Sequence, residues 1–587
     1  PVSPLQAALT GLALSVGVLS WSLFGVGLLR GRLLAPLTAL LVVLTGLGLG
    51  LALNPAWFAP RRWLAYWRRQ WERLVRLDAK ALLTLTILGS LFVILVHDLY
   101  YPFIGDDTLI RYGRQAQAIY QARRLPASVS GYPPLAPLSF VATWFAAGSP
   151  NEHLARLFPF VMAAGTLGAT YLLGRRLWGQ LEGLLAATLV ATSPVFVNNA
   201  TLAYTDIPTT FPLTLALFSI GLWWDSGHIR DALLGGVLLG FALFTKQSAL
   251  IWLPSLSLIP LLRLWTSSSC TDSHRWRRVL PGLAAVALPP LLIAGPWYLR
   301  NALLNSWANI IPVAGLFHLR LPRTGWLGLV PPLAWPHEFG LPLSGLYALG
   351  WVAGLAAAVE QGWRALRRRV PTLPADLLLA AAAVPYWLTW WTSFSFDARF
   401  LLLILPLMAL WAARLLVWAF RWLAEHARLP RSLWQVGGGL LLLSLLLWGT
   451  RERLGGIYRT VTHPFASDME RLRAAKGSLA DLIGYARTNL DPDTDRLCLM
   501  DERLAYYLGD FQIDVGFPLK LSDLEGCDYL FHVSSIHTIY GEELGWEDSE
   551  FYRYAFSPDI FEPVYESGGV YVMRVLYTYV PWAQEGP

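Results

Sequence analysis

Long apolar runs separated by short polar turns fill the first three quarters of the chain. From residue 451 the pattern gives way to short strand-like and helix-like segments. A helix crossing the hydrocarbon layer needs roughly 20 apolar residues. Thirteen runs are read as candidate spans: 5–29, 33–53, 81–96, 154–173, 181–196, 207–224, 232–244, 249–264, 279–298, 341–359, 377–391, 400–420 and 433–448. Several are short, and 232–244 and 249–264 read as tilted or partly re-entrant. The first run lacks a basic n-region, is too long for a signal-peptide core and is followed at once by a second, so it reads as a transmembrane helix.

Composition supports the membrane reading. Of 587 residues, 55% are hydrophobic and 14% charged, against about 25% charged in soluble domains. The 28 tryptophans suit a chain with many membrane–water crossings. The net charge of +7 hides two opposite parts: residues 451–587 carry −11 and the remainder +18. The positive charge sits at span ends, which reads as membrane anchoring and excludes nucleic-acid binding as the leading function. Alternating the spans places 21 Lys and Arg on one side of the membrane, about twice the number on the other. That side is read as cytoplasmic, with the N-terminus inside and the tail outside. The basic, aromatic stretch 61–71 reads as a helix lying on the cytoplasmic surface.

Two long loops then face outward, 97–153 and 299–340, and loops of this kind carry chemistry. The first holds Asp106 and Asp107 beside Arg111. Either acid can cap the helix that begins there, with Leu109, Ile110, Tyr112, Ala116, Ile119 and Tyr120 facing lipid. A carboxylate at this place can also act as general base towards a hydroxyl, or a pair of them can hold a divalent cation. No metal is assigned, and the cofactor is left open. Next comes the proline turn from Gly131 through Tyr132, Pro133, Pro134 and Leu135 to Pro137. Asp206, Lys246, Arg300, Asp397 and Arg399 fall at outer span ends on the same side. Taken singly, Asp206 reads as a helix cap and Lys246 and Arg399 as snorkelling side chains. Together, such cations suit a phosphate-bearing lipid.

The ordered set resembles the GT-C membrane glycosyltransferases, and glycosyltransferase family 39 most closely, which includes protein O-mannosyltransferases and the aminoarabinose transferase acting on lipid A. The resemblance rests on Asp106-Asp107 in the place of the family's Asp-Glu and on Tyr132-Pro133-Pro134-Leu135 in the place of its His-Pro-Pro-Leu. It continues through Asp206 with Pro208, Thr245-Lys246, the run Pro296 to Asn301, and Arg399-Phe400-Leu401-Leu402. It covers residues 97–420. It implies a polytopic helical fold and transfer of a sugar from a polyprenyl-phosphate donor to a protein, glycan or lipid acceptor at the outer face of the plasma membrane. Asp106 would be the base and Asp107 its neighbour. Arg111, Tyr132, Asp206, Lys246, Arg300 and Arg399 would bind substrate, and membrane lipids would surround the whole. The first two spans look like an addition to the family plan, which divides the chain into 1–80, a catalytic membrane domain 81–450, and a soluble domain 451–587.

The soluble tail reads as a small α/β domain. Residues 467–490 show helical spacing, 496–500 and 527–533 are strand-like, and 563–566 with 570–576 read as a hairpin about Gly568-Gly569. Asp491, Asp493 and Asp495 lack the spacing of a calcium loop and read as a turn. Cys498 and Cys527 read as free thiols in strands, with pairing as the alternative. Two other functions compete. A non-catalytic subunit of this fold within a larger envelope assembly would purify with a stoichiometric partner. A transporter would show internal repeats, and none stands out in the sequence.

Overall fold

The computed structural model describes residues 3–31, 33, 64–65, 68, 78–126, 132–266, 272–305, 324–368, 374–426, 431–516, 518–533, 549–554 and 557–576. The expected span 33–53, the surface helix 61–71, Gly131, Cys270 and the middle of the second loop lie wholly or largely outside these residues. The chain forms two compact units, Pro1–Leu99 with Ala116–Val461, and Tyr100–Gln115 with Thr462–Pro587. The division differs from the expected cut at residue 450, because the Asp106-Asp107 segment groups with the C-terminal unit.

The first unit is a polytopic helical membrane domain. Among the described residues, seven helices are long and apolar enough to cross a membrane: Pro4–Leu29, Ala79–Tyr100, Glu152–Leu177, Asp206–Ser226, Val279–Leu304, Leu341–Ala365 and Leu405–Leu423. The expected span 181–196 is instead a bent pair, Gln180–Ala191 and Pro194–Ala200, turned by 65°. Pro194 removes one amide donor at the break. The hydroxyls of Thr192 and Ser193 donate to the carbonyls of Thr188 and Leu189 there. Helices approach closely where they lack side chains. A Cβ on Gly174 would meet the Gly183 Cα at 2.6 Å, and one on Gly236 would meet the Ala285 carbonyl at 2.2 Å. Small residues permit this contact between apolar helices, where lipid offers no hydrophobic contrast to drive association. The first helix is built into the unit: the Ser20 hydroxyl is 3.0 Å from that of Ser139, and Trp21 Nε1 donates to the Ile293 carbonyl at 3.1 Å.

The helix Arg431–Thr462 has 32 residues and runs well past the expected end at 448. At 1.5 Å per residue it is about 48 Å long, more than a hydrocarbon layer requires.

The second unit carries a five-stranded mixed sheet in the order β2-β1-β3-β5-β4. The strands are β1 Arg496–Leu499, β2 Gln512–Val515, β3 Tyr529–Val533, β4 Phe561–Ser567 and β5 Val570–Val575. β1 runs parallel to β2 and β3, with Cys498 opposite Leu530, while β5 is antiparallel to β3 and β4. Strand β2, absent from the sequence reading, is a polar edge strand. The expected single helix over 467–490 is two, Asp468–Ala475 and Gly477–Asn489, broken at Lys476. Ser467 and Glu470 form a capping box at the start of the first. Leu482, Ile483 and Ala486 are buried on the second. Cys498 and Cys527 are joined as a disulfide with Cα atoms 5.8 Å apart, which corrects the expectation of free thiols. Cys527 lies just before β3, and the parallel pairing of β3 with β1 brings it within reach of Cys498. Asp491, Asp493 and Asp495 do form a turn, closed by Asp491 and Asp495 side chains on backbone amides.

Candidate functional site

In the membrane unit, the helix Ile229–Leu243 stops short of a full span. The chain then passes through Thr245 and Lys246 into a 3-10 turn, Gln247–Ile251, before the helix Trp252–Thr266 begins. Two of the sequence motifs hold this break. The Leu135 amide at the end of the proline turn donates to the Phe244 carbonyl at 3.1 Å. The Tyr298 hydroxyl donates to the Leu243 carbonyl at 3.2 Å. Carbonyls freed at a broken helix inside a membrane need such partners. Thr245 contributes by donating its hydroxyl to the Phe241 carbonyl at 2.7 Å.

The break delivers Lys246 inward. Its Nζ lies 2.5 Å from Asp206 Oδ1, in the first turn of the helix Asp206–Ser226, and both residues are buried. Asp206 therefore meets a cation across the fold, where the sequence read singly gave a helix cap. Lys246 Nζ also stands 4.7 Å from the centre of the Phe400 ring. The Arg399 guanidinium is 5.1 Å from the same ring and 5.1 Å from that of Tyr204. Arg399 is ion-paired to Asp397 at 2.7 Å, and its amide donates to the other oxygen of that carboxylate at 2.8 Å. Burial pushes the Asp397 carboxyl above its usual range. Arg399 opposes this and Asp206 adds to it. Two cations thus lie against the Phe400 ring, each paired with its own acid.

Arg300 lies apart from this group. Its guanidinium donates to the carbonyls of Leu125 and Pro126 at 3.3 and 3.1 Å. Tyr132 is half-buried at the start of the proline turn.

A second polar centre in this unit had no counterpart in the sequence reading. Arg156 and Asp98 are fully buried and paired at 2.9 Å. The same guanidinium nitrogen lies 3.1 Å from His97 Nδ1 and donates to the Thr201 carbonyl at 2.5 Å. These residues stood at the edges of predicted spans, where a single charge looks interfacial.

Asp106 and Asp107, grouped with the C-terminal unit, open a helical segment that is π-helical over Thr108–Tyr112 and continues as Gly113–Ala122, of which Ala116 onward belongs to the membrane unit. Asp107 makes no capping hydrogen bond and faces Arg111 at 3.6 Å. Leu109, Tyr112, Ala116 and Ile119 are buried in protein, correcting the expectation that this face meets lipid. Phe103 and the Tyr507 side chain secure the segment, the Tyr507 hydroxyl donating to the Phe103 carbonyl at 2.8 Å.

Two cations meet Asp106 Oδ1: Lys476 Nζ at 2.7 Å and Arg503 at 2.9 Å. Burial works against this carboxylate, but the two cations outweigh it and hold Asp106 below the usual carboxylate range. Among the described residues, the cluster with metal-ligating atoms close together is Cys498, Asp514 and Cys527. Its sulfurs form the disulfide, and Asp514 is paired with Arg496 at 2.6 Å.

The fold and these centres define the class: an integral membrane protein of the GT-C fold. The crystal structure of ArnT from Cupriavidus metallidurans bound to undecaprenyl phosphate superposes with a TM-score of 0.54 at 15% identity, over 85% of this chain and 99% of that one. The Archaeoglobus fulgidus oligosaccharyltransferase in complex with Zn and sulfate gives 0.51 at 12% identity, over 84% and 73%. More particularly, residues 133–293 match the dolichyl-phosphate-mannose-protein mannosyltransferase family. The undecaprenyl phosphate-alpha-4-amino-4-deoxy-L-arabinose arabinosyl transferase of Pseudomonas aeruginosa is 31% identical over 251 residues, 41% of this chain and 42% of that protein. The chain thus spans less than half the length of the curated relatives it matches.

Proposed function

We propose that the protein is a membrane glycosyltransferase. It moves a sugar from a polyprenyl-phosphate-linked donor to a protein, glycan or lipid acceptor at the outer face of the plasma membrane. In this reading the N-terminus is cytoplasmic and the C-terminal unit extracytoplasmic, following the excess of basic residues in one set of loops. The observation that carries the reading is the charge group formed by the buried pair Asp206–Lys246 and the half-buried pair Asp397–Arg399, gathered at a helix break within a membrane fold. Ionisable side chains inside a membrane protein are costly and mark a functional site by default.

The reaction assigns a task to each part. The acceptor oxygen attacks the anomeric carbon as the bond from that carbon to the phosphate oxygen breaks. The bonding electrons leave with the phosphate, and Lys246 and Arg399 stabilise the charge that grows there. Asp106 accepts the proton of the attacking hydroxyl, which then passes to solvent. The products are the glycosylated acceptor and the polyprenyl phosphate. Arg300 orders the backbone at Leu125 and Pro126, and Tyr132 and Arg111 remain candidates for substrate contact. The donor class is supported by the undecaprenyl phosphate bound to the structural relative.

Binding of undecaprenyl phosphate to the purified protein tests this reading. The wild type should bind it, and Lys246→Met should weaken binding at least about tenfold, as expected for loss of one charge-assisted contact. Equal binding by the two proteins would remove Lys246 from the donor site, and no binding by either would reject the donor class.

A further inference from the structure

The reading above gives Asp106 a chemical task without saying what aims its carboxylate. The aspartate side chain is about half exposed, with 48% of its surface open, so packing alone does not fix it. Both neighbouring cations approach the same oxygen. Lys476 Nζ and Arg503 Nη1 each donate to Oδ1, and Oδ2 has no hydrogen-bond partner among the described residues.

The two cations are themselves held. Lys476 occupies the break between the helices Asp468–Ala475 and Gly477–Asn489, where its amide donates to the Leu472 carbonyl at 2.7 Å. Arg503 is gripped by Asp501, which is buried at 2% exposure just beyond β1. Arg503 Nε lies 2.9 and 3.0 Å from the two Asp501 oxygens, and Nη2 lies 2.7 Å from Oδ2. The Arg503 amide also donates to Asp501 Oδ1 at 2.9 Å. A guanidinium fixed in this way on one edge offers its remaining nitrogen in a set direction.

We propose that Lys476 and Arg503, with Asp501 behind Arg503, are positioning residues of the transfer reaction. They anchor Asp106 through Oδ1 and turn Oδ2 towards the acceptor hydroxyl. The assignment rests on the proposed transferase reading. It gives the C-terminal unit a part in the chemistry that its sequence did not show. The charged groups about Asp106 are Lys476, Arg503, Asp501, Asp107 and Arg111. The first two favour its ionised form, and burial opposes it. Because the cations hold Asp106 below its usual range in the folded protein, their contact is present above the unfolded value and lost as the pH falls through the folded one. Removing a cation therefore moves that loss to higher pH.

The test uses the full chain in detergent or nanodiscs. Asp106 is labelled by carbodiimide with a nucleophilic amine, which reacts with the protonated carboxyl, and the labelled peptide is measured by mass spectrometry across pH. Lys476→Gln and Arg503→Ala should each raise the labelling midpoint by about one pH unit, and Arg503→Lys by less. In transfer assays, kcat should fall about 10- to 100-fold and the acid limb of its pH profile should move up with the midpoint. KM for the lipid donor should stay near the wild-type value. If both variants keep the wild-type midpoint and acid limb, the proposal is overturned. Where Arg503→Ala does not yield folded protein, Lys476→Gln reports on the same oxygen and decides alone. Labelling needs no turnover. A shifted midpoint in a protein that transfers from no donor would keep the anchoring of Asp106 and reject the reaction.

Discussion

Lys246 and Asp206, forty positions apart in sequence, form a buried ion pair at 2.5 Å on adjoining broken and unbroken helices of the membrane unit. Breaking a buried pair leaves one charge without compensation, which costs about 3–5 kcal/mol, whereas replacing both partners with apolar groups often costs far less. Lys246→Met should lower the thermal unfolding midpoint of the purified protein clearly, and Lys246→Met with Asp206→Leu should recover much of the loss. A double variant no more stable than the single one would show that the pair is not coupled.

The pair Arg156–Asp98 makes the same argument in a place with no proposed catalytic task. Both side chains are essentially inaccessible, and Arg156 also supports His97 and the Thr201 carbonyl. Arg156→Leu should destabilise by about 3–5 kcal/mol, read as a fall in unfolding midpoint and in folded yield. The small fraction that folds should bind undecaprenyl phosphate as the wild type does. Weakened binding in well-folded Arg156→Leu would bring this centre into the donor site.

The disulfide Cys498–Cys527 closes a loop with a sequence separation of 29. Loop-closure entropy for such a link is worth about 2–4 kcal/mol. Cys498→Ala with Cys527→Ala, or reduction of the wild type, should therefore increase proteolysis of the C-terminal unit. The membrane helices should keep their protection. Unchanged proteolysis after verified reduction would contradict this account.

What the sequence showed depends on whether a signal was local. Apolar runs long enough to span are local, and so are the β4–β5 hairpin about Gly568-Gly569 and strands β1 and β3. The stop near Leu243 was legible as the end of a short apolar run, whereas the kink at Pro194 fell inside such a run and the break at Lys476 inside a helical pattern, so neither was read. Asp206, Lys246 and Arg399 were picked out by their place at outer span ends and again by the family resemblance, but their grouping about Phe400 appears only in three dimensions. Leu109 and Tyr112 have the spacing of a lipid-facing stripe, and periodicity alone cannot tell lipid from protein as the apolar neighbour. Lys476 and Arg503 were lost among the twelve basic residues of an acidic tail. Arg156 looked like any basic residue at a span end. Cys498 and Cys527 were adjacent only once β1 and β3 paired in parallel.

The central claim is sugar transfer with Asp106 as the group that takes the acceptor proton. The most direct measurement is transfer by the purified full chain in liposomes from a panel of undecaprenyl-phosphate-linked sugars, comparing wild type with Asp106→Asn. Asparagine keeps the shape and removes the base, so the account predicts wild-type transfer from at least one donor. It also predicts a loss of at least about 100-fold in kcat for the variant, within the range typical of general-base removal. Full activity in Asp106→Asn, or no transfer by the wild type from any donor, would contradict it.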